Sequence, residues 1–194
     1  MVATLNVVRK DTGLNIFAVS GSLRPTSSTT ALMIAMARLV EPDADVAIYS
    51  GVADLPHFIP DVADAETPDS VHELRRQLDA ADAVLICTPE YAHNLPGSLK
   101  NMLDWVVSSG ELWRKPVATL SCSPNALGGA KALASLRTTL LAMEANAPED
   151  VSLAVPLVRS KLAADGTITD PLLEQALNQV FAALVRVAAQ PREL

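Results

Sequence analysis

LNIFAVSGSLRPTSSTTALMIAMARLV, residues 14–40, decides the fold. Its first part, 14–20, is an apolar run with the length of a strand buried on both faces. Its last part, 28–40, has the apolar spacing of a helix. Between them SGSLRPTSSTT, Ser20 to Thr30, carries seven hydroxyls, one cation (Arg24) and no acid. A strand that feeds a helix through a short polar loop opens a parallel crossover unit.

The alternation continues along the chain. Further strands are expected at 45–50, 83–88, 116–122 and 150–157. Further helices are expected at 69–82, at 96–109 behind Pro96, at 128–145 and at 168–189. The last has Asp170 placed as its cap and Pro171 at its first position. Leu55 to Pro68 reads as a long loop. It falls inside the alternation and separates no second core, so 1–194 is expected to be a single domain. The expected class is α/β, a five-stranded parallel sheet with helices on both faces. For the strand order 2-1-3-4-5, ligands bind where the order reverses, between the first and third strands. The loops there are 20–30 and 88–96.

Composition narrows the function. The chain has 194 residues, is 49% hydrophobic and carries a net charge of −7. Its pI is about 4.9 and its mean hydropathy +0.25. No run approaches a membrane span, and residues 1–13 interrupt with charges the apolar centre that a secretion signal needs. No basic run exceeds Arg75-Arg76, which argues against nucleic-acid binding. His57, His72 and His93 have no metal-ligand spacing, and no metal is expected. Cys87 and Cys122 form no CxxC pair and read as reduced thiols of a cytoplasmic protein. The apolar excess suggests helix faces buried between subunits.

The start of a helix presents free N–H groups and the positive end of its dipole. With Ser and Thr hydroxyls and Arg24 beside it, the first loop suits a phosphate monoester; the plainer reading is a solvated, capped turn. Neither GxGxxG nor GxxxxGK[ST] is present, which disfavours a dinucleotide or a Walker-type site. No GxSxG elbow follows any strand, which disfavours a hydrolase. The second loop, Thr88 to Trp105, offers Tyr91 as a flat face and Glu90 and Asn94 as polar atoms. The third, 121–131, has Gly128 and Gly129 for close approach of backbone or ligand. Together the loops suit a flat heteroaromatic ring on a phosphorylated stem.

SGSLRPTSSTT, PEYAHNLPGSLKNMLDW and SPNALGGAK, in that order, resemble the NADPH-dependent FMN reductase family, a flavodoxin-like group with chromate, quinone and azo-dye reductases among its members. The resemblance covers about residues 14–188, and its second motif is the most specific. It implies a flavodoxin-like three-layer sandwich, non-covalent FMN, and a homodimer or homotetramer. It implies hydride transfer from NADPH or NADH through FMN to a small-molecule acceptor: a quinone, a dye, a metal oxyanion or free flavin. It places Ser22, Arg24, Ser27, Ser28 and Thr29 at the FMN phosphate. Pro89, Glu90, Tyr91, Ala92 and His93 would line the flavin ring, and Ser123 would reach the cofactor. No side chain is then the chemical engine, because FMN carries the hydride. Thr29 stands where the family usually has Asn, and Ala92, His93 and Asn94 also depart from its pattern. The rival class is a non-enzymatic FMN-binding carrier of flavodoxin type.

Several residues have two readings. Glu90 either pairs with a cation across a subunit interface or caps its own loop. Trp105 belongs either to an interface cluster or to a buried helix face. Cys122 reads as a structural thiol rather than a redox group, and His93 as a solvent-facing residue rather than a proton donor. Lys131 and Arg137 read as solvated helix cations rather than contacts for a nicotinamide dinucleotide.

Overall fold

The computed structural model describes residues 13–191 apart from positions 25 and 42. The reading of the N-terminal segment 1–12 lies outside these residues. Five strands, β1 (Leu14–Ser20), β2 (Ala44–Tyr49), β3 (Ala83–Pro89), β4 (Val117–Cys122) and β5 (Ser152–Val155), form one sheet. Its order is β2-β1-β3-β4-β5, the flavodoxin-like order, and every pair is parallel. The intervening helices are α1 (Ser28–Val40), α2 (Asp69–Asp79), α3 (Gly97–Trp105), α4 (Ala130–Ala142) and α5 (Pro171–Ala188).

Side chains alternate across the strands, so the sheet feeds two cores, one on each face. On one face Ile16, Ala18, Leu85, Cys87, Leu120 and Cys122 pack with Leu32, Met33 and Met36 of α1 and Leu177, Val180 and Leu184 of α5. On the other, Phe17, Val19, Val84 and Ile86 pack with Leu74 and Leu78 of α2, Leu99, Met102 and Leu103 of α3 and Leu136 and Leu140 of α4. β3 and β4 are buried along their whole length, as central parallel strands require. β2 and β5 are the two edges, and β2 is half open to solvent.

The elements match the sequence expectation closely at 14–20, 28–40 and 83–88, and differ at ends where backbone chemistry intervenes. The 128–145 helix begins only at Ala130, because Gly128 (φ 60°) and Gly129 (φ 80°) are left-handed. The 150–157 strand shrinks to Ser152–Val155: Glu149–Val151 winds into a 3-10 turn after Pro148, and Leu157 is left-handed at φ 52°. The expected start of α5 holds, with Asp170 Oδ1 accepting from the Leu172 amide at 3.0 Å and Pro171 at the first position.

Trp105 is a core residue, 3% exposed. Its Nε1–H donates to the Pro56 carbonyl at 2.8 Å and its ring meets Phe58 edge-on at 5.2 Å. An aromatic ring with its one donor satisfied inside the chain belongs to the fold. The 55–68 segment, expected as loop, is the lid of this core: Leu55 is buried, and the Phe58 amide donates to Asn101 Oδ1 at 2.8 Å.

Candidate active site

β1 and β3 are neighbours, so their C-terminal loops leave the sheet side by side. The Gly21 amide donates to the Cys87 carbonyl at 2.8 Å. Ser98 at the start of α3 donates its hydroxyl to the Gly21 carbonyl at 3.4 Å. A Cβ on Gly21 would stand 3.0 Å from Leu99 Cδ2, so a larger residue would have to push the Leu99 side chain aside. Neither Ser98 nor Leu99 was singled out from the sequence. Both lie inside the PGSLKN motif, and their partner is 77 residues away for Ser98.

The first loop organises itself through its hydroxyls. Ser20 Oγ accepts from the Ser22 amide at 3.2 Å and pairs with Thr30 Oγ1 at 3.0 Å. Ser22 Oγ accepts from the Arg24 amide at 3.4 Å. Ser27 caps α1, accepting from the Thr29 amide at 3.2 Å. A hydroxyl can accept and donate at once. Among the described residues, the hydroxyl hydrogens of Ser22 and Ser27 find no protein acceptor, although both side chains are buried. The amides of Ser28 and Thr30 in the first turn likewise meet no acceptor among these residues. Arg24 stands exposed beside them and Ser28 is partly exposed. Thr29 is 2% exposed and turns its hydroxyl inward, 3.4 Å from Cys122 Sγ. Burial pushes both the Cys87 and Cys122 thiols up, so neither is a ready nucleophile.

The second loop is a tight hairpin. Tyr91 and Asn94 exchange amide-to-carbonyl bonds at 3.0 and 2.9 Å. The two residues between them are both left-handed, Ala92 at φ 48° and His93 at φ 64°. That is the signature of a type I′ turn, which favours Asn and Gly over Ala and His. Among the described residues, neither the Ala92 nor the His93 amide has a protein acceptor. Tyr91 is 47% exposed, and Pro89 closes β3 in the core.

Within the chain Glu90 does more than hold its own loop: it caps another element. Its Oε2 accepts from the Lys131 and Ala132 amides in the first turn of α4, at 3.0 and 3.2 Å. Its Oε1 lies 3.2 Å from His93 Nδ1. Burial raises its pKa, but the bonds from His93, Ala132 and Lys131 outweigh this and hold it below the ordinary 4.5. It is therefore a carboxylate at neutral pH, as a helix N-terminus prefers. Asn94 Oδ1 accepts from Ser135 of α4 at 2.6 Å and from the Leu95 amide at 2.8 Å.

The third loop is buttressed from β5. Ser123 donates its amide to Val155 at 3.3 Å, and its carbonyl receives the Val158 amide at 3.3 Å. Its hydroxyl accepts from the Asn125 amide at 3.1 Å. Gly128 serves backbone, not ligand: a Cβ there would lie 2.8 Å from Pro156 N and Val155 C. The residues 155–158 were not singled out from sequence, because their contacts to this loop are backbone bonds with no residue signature. Lys131 stays exposed, and Arg137 pairs with Glu149 at 3.8 Å.

The sequence matches the NADPH-dependent FMN reductase family over residues 14–159. The chain belongs to that family. The NAD(P)H-dependent FMN reductase of Pseudomonas aeruginosa is 30% identical over 173 residues, covering 88% of this chain and 93% of that protein. The quinone reductase of Escherichia coli K12 is 33% identical over 142 residues, 70% of this chain and 76% of that one. The solved structure of FerB, a flavoenzyme NAD(P)H:(acceptor) oxidoreductase from Paracoccus denitrificans, superimposes with a TM-score of 0.83 at 30% identity, covering 90% of this chain and 97% of that chain. The protein is an NAD(P)H-dependent, FMN-dependent oxidoreductase of this family.

Proposed function

We propose that FMN binds across the β1–β3 junction, with its phosphate in the first loop and its ring against the 89–93 hairpin, and that the acceptor is a planar small molecule of the quinone or free-flavin kind. The observation that carries the phosphate assignment is the pair of buried hydroxyls, Ser22 and Ser27. Each has its oxygen engaged by an amide and its proton left to donate. Beside them stand the open N-terminus of α1 and the exposed Arg24. An anion satisfies all of these donors together. The α4 N-terminus is already taken by Glu90, which favours α1 over α4 as the phosphate seat.

Ser22, Arg24, Ser27 and Ser28 are assigned to the phosphate, with Thr29 contributing to the first turn of α1. The free amides of Ala92 and His93 are assigned to polar atoms at the edge of the ring, and Pro89, Glu90 and Tyr91 shape the wall behind them. Ser123 keeps a hydroxyl proton to donate from the third loop. Bound FMN supplies the hydride chemistry; the chain binds it, orients it and shields it.

Exposed Tyr91, Leu127 and Leu157 lie on the ring hairpin and on the two segments joined by the Leu157-to-Asn125 bond. These side chains suit a flat, largely apolar acceptor rather than a small oxyanion. The same apolar rim supports a homodimer or homotetramer that covers it. Among the described residues no helix is long and apolar enough to cross a membrane. The two free, buried cysteines support a cytoplasmic location.

The test is the visible spectrum of the FMN-reconstituted protein, freed of excess flavin, before and after anaerobic NADPH and then NADH. Bleaching at a catalytic rate, and recovery on adding a quinone, is the expected result. A flavin spectrum that persists with both donors would indicate a carrier instead.

A further inference from the structure

We propose that Glu90 is a positioning residue, which together with Asn94 clamps the 89–95 hairpin to α4 and so holds the left-handed Ala92–His93 turn in its ligand-facing shape. This rests on the reading that the flavin ring lies against that hairpin.

The turn is not held by its own sequence. Ala92 and His93 sit at φ 48° and 64°, a region in which Cβ crowds the backbone and which neither residue favours. A hairpin closed by a single pair of bonds, here Tyr91 with Asn94, is marginal by itself. Strained backbone persists only where its surroundings over-determine it. Here the surroundings are two attachments to one helix. Glu90, one residue before the turn, grips the first turn of α4 through the Lys131 and Ala132 amides. Asn94, the residue that closes the turn, receives the Ser135 hydroxyl further along α4. The third Glu90 bond, to His93 Nδ1, ties the carboxylate to the turn itself.

The clamp spans more than one loop. α4 starts on Gly128 and Gly129, and the Gly128 carbonyl accepts from Ser121 Oγ of β4 at 2.9 Å. Through Glu90, the loop after β3 and the loop after β4 share one helix terminus. Two walls of the proposed ring site are therefore fixed relative to each other before any cofactor binds. This is the preorganisation a site needs if binding is not to be spent on ordering loops.

The test is amide hydrogen exchange on the full chain, first without FMN, comparing wild type with Glu90→Ala, Glu90→Gln and Asn94→Ala. Glu90→Ala should speed exchange of the bonded hairpin amides, Tyr91, Asn94 and Leu95, and of the 131–132 amides by about tenfold or more, while β1, β3 and β4 keep their protection. Glu90→Gln retains an acceptor for the α4 amides and should restore most of that protection. Asn94→Ala should loosen the hairpin but not the start of α4. With FMN added, Glu90→Ala should bind more weakly and show a shifted flavin absorption band. Unchanged exchange at Tyr91, Asn94 and Leu95 in Glu90→Ala overturns the clamp, as does equal loosening of the core strands. A wild type that shows the exchange pattern but takes up no FMN overturns the cofactor assignment and leaves the clamp standing.

Discussion

The phosphate loop and the ring hairpin lie side by side at the end of the same sheet, and they are built in opposite ways. The first, Ser20 to Thr30, is held mainly by short-range bonds: Ser20 to Ser22, Ser22 to Arg24, Ser27 to Thr29. The described residues there show no left-handed backbone. The second, Pro89 to Leu95, carries two left-handed residues and is held through contacts 41 and 42 residues away in sequence. A loop made of self-capping hydroxyls carries its conformation with it. A loop with strained backbone borrows its conformation from the element it is pinned to.

That contrast can be broken or sharpened experimentally. The largest effect is expected where α4 itself is seated. Gly128→Ala places a Cβ against β5 backbone at a left-handed position. It should cost about 2–4 kcal/mol of stability, read from a denaturant midpoint, and should loosen the hairpin with α4. Next, Arg24→Ala removes the one cation of the phosphate loop and should weaken FMN binding by about 1.5–3 kcal/mol in titration calorimetry. The fold should be untouched, because Arg24 is exposed. Ser27→Ala removes the α1 cap and should cost about 1 kcal/mol of stability. Its effect on FMN affinity should be smaller than that of Arg24→Ala; the reverse order would mean that the cradle is wrongly assigned.

Smaller effects fall on the hairpin. Ala92→Gly relieves a left-handed alanine at φ 48° and should stabilise the protein by about 0.5 kcal/mol, net of the added freedom of the unfolded chain. The same change in a relaxed turn would destabilise. The loops should also differ in acid. Glu90 titrates below its ordinary 4.5, so its contribution is fully present above that value and is lost as the pH falls through the lower, folded value. Exchange protection at Tyr91, Asn94 and Leu95 should drop there, while the phosphate loop, which has no acid, keeps its protection.

The same contrast explains what could be read from the sequence. The Asp170 cap was legible because cap and capped amide are two residues apart. The parallel sheet was legible because buried strands and helices alternate; its order followed from the family resemblance, since alternation fits other doubly wound orders too. Glu90 was recognised as part of the PEY motif, but its partners were not, since nothing in Lys131 or Ala132 signals that their backbone receives a carboxylate. The inward turn of Thr29 toward Cys122, 93 residues away, was hidden for the same reason. Trp105 was ambiguous because an apolar helix face looks alike whether a second subunit or the 55–58 segment covers it.

The most direct test of the account is to titrate the FMN-free protein with FMN and follow its backbone amide resonances. The predicted result is large shifts at 21–30 and 90–94, smaller ones at 121–131, and none at the opposite end of the sheet around Arg114 and Asn146. Shifts confined to that far end, or absent at Ser22 and Ser27, would contradict it.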